Sequence, residues 1–362
     1  MVRTNDFNIG RDCTVRRGQP RPEGGGHARR LLYCRPREAP SHPRGLRPPG
    51  TTSQPLRGPP GDSRRTGDTL ISARVRKAVL PAAGFGTRFL PATKAIAKEV
   101  MPLVDRPIIQ YAVEEAVASG IEQIIIVIST GRSAIEDHFD ANPNLERWLE
   151  DRGDIELLRA VRRITEIGPI AFVHQKEQLG LGHAVLMAKE LVGDEPFVVI
   201  LSDDVMINPG GVPVTKQLID QHTAHRGSVV AVQRVPPEDV TRYGIVRPVR
   251  EEGRLVEIGD LVEKPAVGEA PSDLAVLGRY VLTPKIFGML ETTPRGAGGE
   301  IQLTDAIRAL IDEQPVFGYQ FEGERHDAGT RIGWLKANVA MALQSDEADE
   351  FRSYVRGLDL RD

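Results

Sequence analysis

From Lys77 onward, the sequence predicts an α/β fold with a mixed, mainly parallel sheet flanked by helices. Three consecutive segments support this prediction. They are a short apolar strand at 77–81, a helical pattern at 107–120 that ends on Gly120, and a β-branched run at 121–129 that is typical of a buried strand. A strand, a loop, a helix and a second strand, in this order, begin an open α/β sheet.

The following elements continue this pattern and then change it. We expect strands at 170–175, 197–204 and 228–235, and helices at 182–192 and 214–225. The second half predicts antiparallel pairing, through a hairpin at 243–265 with a tight Glu-Glu-Gly turn and a strand at 275–283. Helical stretches are expected at 301–313 and 329–357. Ligands of such sheets bind beyond the carboxyl ends of the parallel strands, so the site is expected in the loops that follow residues 80, 173 and 201.

The first 76 residues differ in composition from the rest of the chain. They contain 16 arginines, no lysine and six acidic residues, about +10, whereas the whole chain carries −3. Proline and glycine are frequent and apolar periodicity is almost absent, so we expect a disordered extension. The segment lacks aromatic residues interleaved with its arginines and lacks an amphipathic pattern, so we expect it to bind neither nucleic acid nor a membrane. A start site placed too far upstream would also give such a segment, with the true start at a non-AUG codon such as that of Val75.

Cysteine usage excludes several kinds of site. Cys13 and Cys34 both lie in the extension, so residues 77–362 can hold neither a disulfide framework, nor a thiol nucleophile, nor a zinc–thiolate centre. The chain has no apolar run of 18 residues and no signal-peptide pattern near Met1, and we expect it in the cytosol.

The loop at 81–102 has the features of an anion site. "GFGTRF" lacks the third glycine of the dinucleotide fingerprint, and no Gly-Lys-Ser/Thr closes it as in a P-loop. Gly84 leaves room for a flat ligand, and backbone N–H groups around Gly86 can hold phosphate oxygens. Arg88, Lys94 and Lys98 add three cations within eleven residues. The alternative is a solvated basic turn.

Two acidic residues are expected where the strand at 197–204 ends. Asp203 and Asp204 follow an apolar run that needs no carboxylates to fold, and paired aspartates at a strand end commonly hold Mg²⁺. The alternative is a polar strand exit in which an aspartate caps the next element. With the cationic loop, these carboxylates favour phosphoryl-group transfer on a nucleotide with Mg²⁺.

At this point the chain resembles a known family. "GFGTRFLPATKAIAKEVMPLVDRPIIQYAVEEA", "QKEQLGLGHAV", "LSDD", "YGIV", "EKP", "GRYVLTPKIF" and "GGEIQLTDAI" resemble, in order and spacing, the bacterial UTP–glucose-1-phosphate uridylyltransferases. The match covers about residues 75–345. It implies a Rossmann-like fold of the nucleotide-diphospho-sugar transferase type, with a catalytic domain at 77–345 and a C-terminal helix and tail at 346–362.

The resemblance also implies roles for individual residues. The catalytic groups would be Arg88, Lys98, Asp203 and Lys264. The nucleotide would contact Ala82, Ala83, Gly84, Gly86, Thr87, Glu99, Gln175 and Gly180. The sugar phosphate would contact Gly244, Glu263 and Lys264, and Mg²⁺ would be held by Asp203 and Asp327. On the residues alone, Gln175 could instead satisfy a loop carbonyl, and Lys264 could be a solvated lysine at the end of a hairpin.

The implied reaction joins UTP and glucose 1-phosphate, by direct attack of the sugar-phosphate oxygen on the α-phosphorus, with release of pyrophosphate. A helical insertion at 145–168 resembles one in the uridylyl enzymes and favours UTP over dTTP. The alternatives are a nucleotidyltransferase of the same fold with another base or sugar, such as a thymidylyltransferase, and a non-catalytic subunit that binds sugar nucleotides. The resemblance further implies a homodimer or homotetramer.

The sequence departs from the family pattern in two places. Ala97 stands where the family usually has proline, directly before Lys98. Thr330 and Arg331 replace an acidic residue and a lysine that usually follow the Asp327 motif.

Overall fold

A nine-stranded sheet forms the centre of the residues that the computed structural model describes, which are 74–131 and 133–358. Its strand order is β5-β4-β1-β6-β11-β8-β12-β10-β9, and β2–β3 and β7–β13 form two small additional sheets. The strands are β1 Lys77–Ala82, β2 Pro102–Leu103, β3 Arg106–Pro107, β4 Gln123–Ser129, β5 Ile170–Gln175, β6 Phe197–Ile200, β7 Asp204–Ile207, β8 Ser228–Arg234, β9 Gly244–Glu252, β10 Leu255–Glu263, β11 Leu274–Leu282, β12 Val316–Gln320 and β13 Glu324–Asp327. Residues 1–73, and with them both cysteines and nearly all of the expected disordered extension, lie outside the described residues.

Helices flank the sheet, as expected for an α/β fold. They are α1 Ile108–Ala118, α2 Ala134–Phe139, α3 Pro143–Arg152, α4 Ile155–Thr165, α5 Leu181–Leu186, α6 Lys189–Val192, α7 Val214–His225, α8 Lys285–Thr292, α9 Leu303–Ile311, α10 Arg331–Ala342 and α11 Ala348–Gly357. Across the described ranges, no helix has the length and apolarity needed to cross a membrane.

The direction of the strands confirms a mixed, mainly parallel sheet. Strands β5, β4, β1 and β6 pair in parallel. Strand β11 runs antiparallel to its neighbours β6 and β8, while β12 pairs with β8 in parallel. Strand β10 is antiparallel to β12 and β9. Seven of the nine strands therefore point the same way, and β11 and β10 are reversed.

Side-chain alternation along the strands divides the core into two layers. On one face, Leu80 of β1 lies in a cluster with Val113 of α1 and Leu218 of α7. On the other face, Val79 belongs to a cluster that includes Ile286 of α8 and residues of α5 and α9. A third, smaller cluster packs the loop after β1 against β7 and α10. Helices thus fix both faces of the sheet, and the third cluster anchors the glycine- and lysine-bearing loop.

Three predicted elements are broken in the structure. The strand expected at 197–204 is two strands, because the chain turns at 201–203 and β7 leaves the main sheet to pair with β13. The helix expected at 182–192 divides into α5 and α6 where the Ala188 N–H bonds three residues back, to Val185. The helix expected at 329–357 divides into α10 and α11, where the Ser345 hydroxyl accepts a hydrogen bond from the Glu347 N–H. The hairpin and the remaining predicted strands and helices are confirmed within a few residues.

Two helical glycines should respond oppositely to alanine. A Cβ on Gly182 of α5 would lie 2.7 Å from the Ile301 carbonyl oxygen, whereas a Cβ on Gly288 of α8 would meet no atom within 4 Å. We expect Gly182→Ala to lower the free energy of unfolding by about 1–3 kcal/mol through overpacking. Gly288→Ala should raise it by about 0.5–1 kcal/mol through reduced backbone entropy. Urea titrations of both variants measure the difference, and a loss of stability in Gly288→Ala would contradict this packing of α8.

Candidate active site

The loops after β1, β5 and β6 meet at one edge of the sheet, as expected for the carboxyl ends of parallel strands. Two cavities lie there. We call the first, of about 350 Å³, the glycine-side cavity; its lining includes Ala83, Gly84, Lys98, Glu99, Gln175 and Gly180. We call the second, of about 560 Å³, the hairpin-side cavity; its lining includes Arg88, Gly244, Glu263, Lys264, Asp327 and Thr330. Asp203 lines both cavities, so it stands at their boundary.

Three residues predicted to contact the nucleotide line neither cavity. Ala82 is the last residue of β1 and is buried, with 1% of its surface exposed. Gly86 has φ +66°, and its carbonyl oxygen accepts a 2.7 Å hydrogen bond from the Thr93 hydroxyl. Thr87 begins the short 3₁₀ turn that follows. The structure therefore gives Gly86 a turn-forming role, because a Cβ there would crowd the Thr93 side chain at 3.2 Å.

Lys98 and Asp203 form an ion pair at the boundary of the two cavities. Lys98 Nζ donates to Asp203 Oδ2 at 2.6 Å. Burial lowers the pKa of Lys98, but the carboxylates of Asp203 and Glu99 together outweigh it and raise that pKa above its ordinary value. Burial likewise raises the pKa of Asp203, but Lys98 outweighs it and holds that pKa below its ordinary value. Both groups are therefore charged at neutral pH. The Lys94 side chain, in contrast, is exposed and makes no hydrogen bond or ion pair within the described residues.

Asp203 and Asp327 face the same space. Strand β13 pairs with β7, and the Ala328 N–H donates to the Asp203 carbonyl at 2.7 Å. A Cβ on Gly329 would lie 2.8 Å from Asp203 Oδ2 and 3.1 Å from Asp327 Oδ1, so only a glycine leaves this space open. Asp327 is also held by Arg242 Nη2 at 2.9 Å and by the Gly329 N–H at 2.9 Å.

The donor set at this point fits a divalent cation that is completed by substrate. No group of three or more His, Cys, Asp or Glu side chains in the described part of the chain could hold a metal by itself. Mg²⁺, however, is usually bound by one or two carboxylates together with substrate phosphates and waters. Asp203 and Asp327 supply two carboxylates facing one open space, and the cationic loop lies beside them.

Asp204 is not available for such a role. Its Oδ1 accepts from Arg325 Nε at 2.8 Å and lies 2.6 Å from Arg325 Nη2, while its Oδ2 accepts from the Gly278 N–H at 3.1 Å. Burial raises the pKa of Asp204 and lowers that of Arg325, but Asp204 outweighs the latter effect and the Arg325 pKa is raised. The pair of aspartates expected from the sequence is thus divided: Asp203 faces the cavities and Asp204 holds the backbone.

The hairpin places Glu263 and Lys264 beside Gly244. Glu263 pairs with Gly244 across β9 and β10, and Lys264 Nζ lies 2.8 Å from Glu263 Oε1. The Thr304 hydroxyl donates to Glu263 Oε2 at 2.7 Å. A Cβ on Gly244 would come within 3.0 Å of the Thr304 methyl group. The glycine therefore allows β9 and α9 to approach closely, and Thr304, which lies in the motif "GGEIQLTDAI" but was given no role there, is a further site residue.

Gln175 tethers its own loop. Its Nε2 donates to the Gly180 carbonyl at 3.3 Å and lies 2.8 Å from His183 Nδ1. Gly180 has φ +100°, and a Cβ there would lie 2.7 Å from Glu300 Cβ. Gln175 thus has the loop-carbonyl contact that was the alternative on the residues alone, although it also lines the glycine-side cavity.

Two of the three residues that depart from the family pattern have local explanations. Ala97 has φ −69°, which is the value a proline ring would impose, so the backbone before Lys98 has the geometry expected of the family. Thr330 is the N-cap of α10, and its hydroxyl accepts a 3.1 Å hydrogen bond from the Gly333 N–H. A threonine caps a helix much as an aspartate does, so the first replacement preserves the start of α10. Nothing in the structure explains the change to Arg331.

The insertion expected at 145–168 is helical but lies away from both cavities. Helices α3 and α4 form it, and none of its residues lines the glycine-side or the hairpin-side cavity. Its residues instead line a larger cleft, of about 1,070 Å³, between α1, α2 and α4. Any effect of the insertion on nucleotide choice therefore cannot be a direct contact made within these two cavities.

Comparisons with known proteins agree with this geometry. A family model described as nucleotidyl transferase matches residues 77–343. The UTP--glucose-1-phosphate uridylyltransferase of Bacillus subtilis strain 168 is 51% identical over 286 residues, which are 79% of this chain and 97% of that protein. UTP-bound UGPase from Acinetobacter baumannii is 42% identical with a TM-score of 0.74, over 79% of this chain and 100% of that one. A UDP-glucose pyrophosphorylase complexed with UDP-glucose is 42% identical with a TM-score of 0.69, over 75% of this chain and 100% of that one.

The Lys98–Asp203 pair predicts a pH-dependent stability. Because the folded-state pKa of Asp203 is depressed, the pair stabilises the fold above the unfolded value of about 3.9, and this is lost as the pH falls through the folded-state pKa. Lys98→Met should lower the free energy of unfolding by about 1–3 kcal/mol at pH 7. The difference from the parent chain should shrink below about pH 4.

Urea titrations at both pH values measure this difference. Lys94→Met is the matched control, with an expected change within about 0.5 kcal/mol at either pH. An equal loss of stability in Lys98→Met at both pH values would assign the effect to apolar packing instead of charge.

Proposed function

Because this chain belongs to the nucleotidyl transferase family, among the UTP–glucose-1-phosphate uridylyltransferases, we propose that it transfers the uridylyl group of UTP to glucose 1-phosphate. The observation that supports this most directly is the position of Asp203 and Lys98 between two cavities. A transfer between two substrates requires their reacting groups to meet, and this boundary is where they would meet.

The glycine-side cavity is assigned to the nucleoside and the hairpin-side cavity to the sugar phosphate. Ala83 and Gly84 present little side-chain volume to a flat base and ribose, next to the backbone of Gly180. Glu263 offers a carboxylate to sugar hydroxyls, and Lys264 offers a half-exposed cation to the sugar phosphate. Asp203 lines both cavities, and Lys98, its ion-pair partner, lines the glycine-side cavity.

The reaction is a direct in-line displacement. A phosphate oxygen of glucose 1-phosphate forms a bond to the α-phosphorus of UTP, while the bond from that phosphorus to the α–β bridging oxygen breaks. Pyrophosphate leaves with the electron pair of the broken bond, and UDP-glucose is the other product. Lys98 and Arg88 hold the phosphate oxygens and stabilise the charge that develops on them, which is the main source of catalysis in phosphoryl transfer.

The family generally uses a divalent metal, and we propose Mg²⁺ held by Asp203 and Asp327. When bound, Mg²⁺ would neutralise charge on the triphosphate. Lys98 contacts Oδ2 of Asp203, so the carboxylate would be shared between Lys98 and the metal, and any exchange would free the ammonium group to bind a phosphate oxygen. Asp327 must likewise exchange its contact with Arg242.

The other expectations from the sequence stay proposals. They are a catalytic domain at 77–345 with a C-terminal helix and tail at 346–362, a homodimer or homotetramer, and the cytosol as compartment. The extension is proposed to bind neither nucleic acid nor membrane.

The proposed activity is tested by pyrophosphate release from glucose 1-phosphate with UTP, dTTP, CTP and GTP. We expect UTP to give the highest kcat/KM, and Lys98→Met to lower kcat on the order of 10²-fold or more, since it removes a preorganised charge. The control Lys94→Met should retain the parent rate. A preference for dTTP would support the thymidylyl alternative, and no turnover with any nucleotide would support the non-catalytic alternative.

Lys264 should affect the sugar phosphate more than the nucleotide. Its charge lies in the hairpin-side cavity and not in the glycine-side cavity, so Lys264→Ala should raise the KM for glucose 1-phosphate about tenfold or more, as the loss of a charged hydrogen bond predicts. The KM for UTP should change less than about threefold. Steady-state kinetics with each substrate varied in turn measure both values. Lys336→Ala, on the exposed surface of α10, is the control, and an equal rise in both KM values would contradict the assignment of the cavities.

A further inference from the structure

Arg279 is the largest fully buried side chain in the described residues. It lies in the reversed strand β11, directly opposite Ile200 at the end of β6, and its side chain is 1% exposed. A guanidinium cannot lose its charge in a protein, so it must be fully paired to be buried at all. The hydrogen-bond partners of Arg279 therefore indicate its role in the fold.

Glu115 of α1 is the charge partner. Arg279 Nη2 donates to Glu115 Oε2 at 2.6 Å, and Arg279 Nε donates to both carboxylate oxygens at 3.1 and 3.2 Å. Glu115 Oε1 also accepts from the N–H and the hydroxyl of Thr215, at 2.9 and 2.6 Å. The carboxylate is thus fixed from two elements, β11 and the first turn of α7. Every donor that reaches it is buried.

The remaining guanidinium nitrogen reaches the turn that carries Asp203. Arg279 Nη1 donates to the Leu201 carbonyl at 3.1 Å and to the Gly278 carbonyl at 3.0 Å. The Leu201 N–H in turn donates to the Gly278 carbonyl at 2.9 Å. Leu201 is therefore held at both its N–H and its carbonyl, two residues before Asp203.

The far side of the same turn is held as well. The Gly278 N–H donates to Asp204 Oδ2, and Arg325 binds Asp204 Oδ1. Asp203 thus lies between two fixed points, Leu201 and Asp204, and the short distance along the chain leaves its backbone little freedom. Arg279 contributes only to the first point, where the Leu201 carbonyl also accepts from the Asp204 N–H at 3.2 Å, and the Asp203 carbonyl is held separately by the Ala328 N–H.

We propose that Arg279, held by Glu115, is a positioning residue that sets the direction of the Asp203 carboxylate through the Leu201 carbonyl. This inference rests on the proposed function, since it concerns the residue assigned to the metal and to Lys98. Stability alone is a weak reason for the pair, because well-packed apolar side chains of similar volume often replace a buried ion pair at no cost. An apolar pair, however, could not donate to the Leu201 carbonyl.

The test compares the parent chain with the double variant Glu115→Leu/Arg279→Met, which removes both charges together and leaves neither buried alone. We expect it to fold, with kcat for pyrophosphate release lowered about 10- to 100-fold, as is typical when the support of a metal-binding side chain is removed. The KM values for UTP and glucose 1-phosphate should change less than about threefold. Binding of Mn²⁺ to the protein with UDP-glucose present, whose phosphates complete the ligand set, is measured by electron paramagnetic resonance and should weaken by a similar 10- to 100-fold.

Two further variants separate positioning from stability. Leu218→Ala, in the same core layer but outside the hydrogen bonds of Glu115 and Arg279, should lose about 2–5 kcal/mol of stability and keep the parent kcat. Arg279→Lys retains the charge beside Glu115 but has no planar fork to reach Leu201 as well, so it should fold and still lose kcat and Mn²⁺ affinity. If the double variant does not fold, Arg279→Lys alone tests whether Arg279 positions Asp203.

The outcomes are distinct. Loss of kcat and of Mn²⁺ affinity in the variants at Arg279, but not in Leu218→Ala, supports positioning. Values within threefold of the parent chain in the folded variants would overturn it, as would a loss of kcat in Leu218→Ala of the same size. Failure of the parent chain to turn over UTP would contradict the proposed function, and the Mn²⁺ measurement would then still decide whether Arg279 orients Asp203.

Discussion

The close approach of β11 to the turn at 201–204 is the constraint on which the site depends. A Cβ on Gly278 would lie 2.8 Å from Asp204 Oδ2 and 3.0 Å from Leu201 Cβ, so only glycine allows this strand to pass. Because β11 runs opposite to β6, its backbone can pair with the end of β6 and still reach the residues beyond it. The reversed strand thus ends the run of four parallel strands from β5 to β6 and fixes Leu201 and Asp204 on either side of Asp203.

The ion pairs of the site differ in burial, and this difference divides their roles. Asp204–Arg325 is nearly enclosed, and separating it would leave a buried charge unpaired, which is strongly destabilising. Lys264–Glu263 and Arg242–Asp327 each include a cation that is about half exposed, and such pairs contribute little to stability. The exposed pairs can therefore exchange partners when phosphates and a metal arrive, whereas the enclosed pair keeps the backbone in place.

The apolar strands and the cationic loop were predictable from sequence because burial leaves a pattern. The run at 123–129 is almost wholly β-branched, and its burial on both faces follows from that. Strand β13 has the sequence "ERHD" and no apolar alternation, so no pattern could place Arg325 beside Asp204, and only the resemblance joined Asp327 to Asp203. The turn at 201–203 was missed for the opposite reason, since the apolar run continues through Leu201. The resemblance supplied the roles of Glu263 and Lys264, but Thr304 required the structure.

The choice between UTP and dTTP must rest on few contacts. The two nucleotides differ by a methyl group on the base and by the ribose 2′-hydroxyl. A pocket rejects an added methyl only modestly, but one that hydrogen-bonds a hydroxyl discriminates strongly against its absence. The Nε2 atom of Gln175 is occupied by the Gly180 carbonyl and His183, and the insertion lines neither cavity. Strong discrimination would therefore come from polar groups that reach the ribose, more than from the fit of the base.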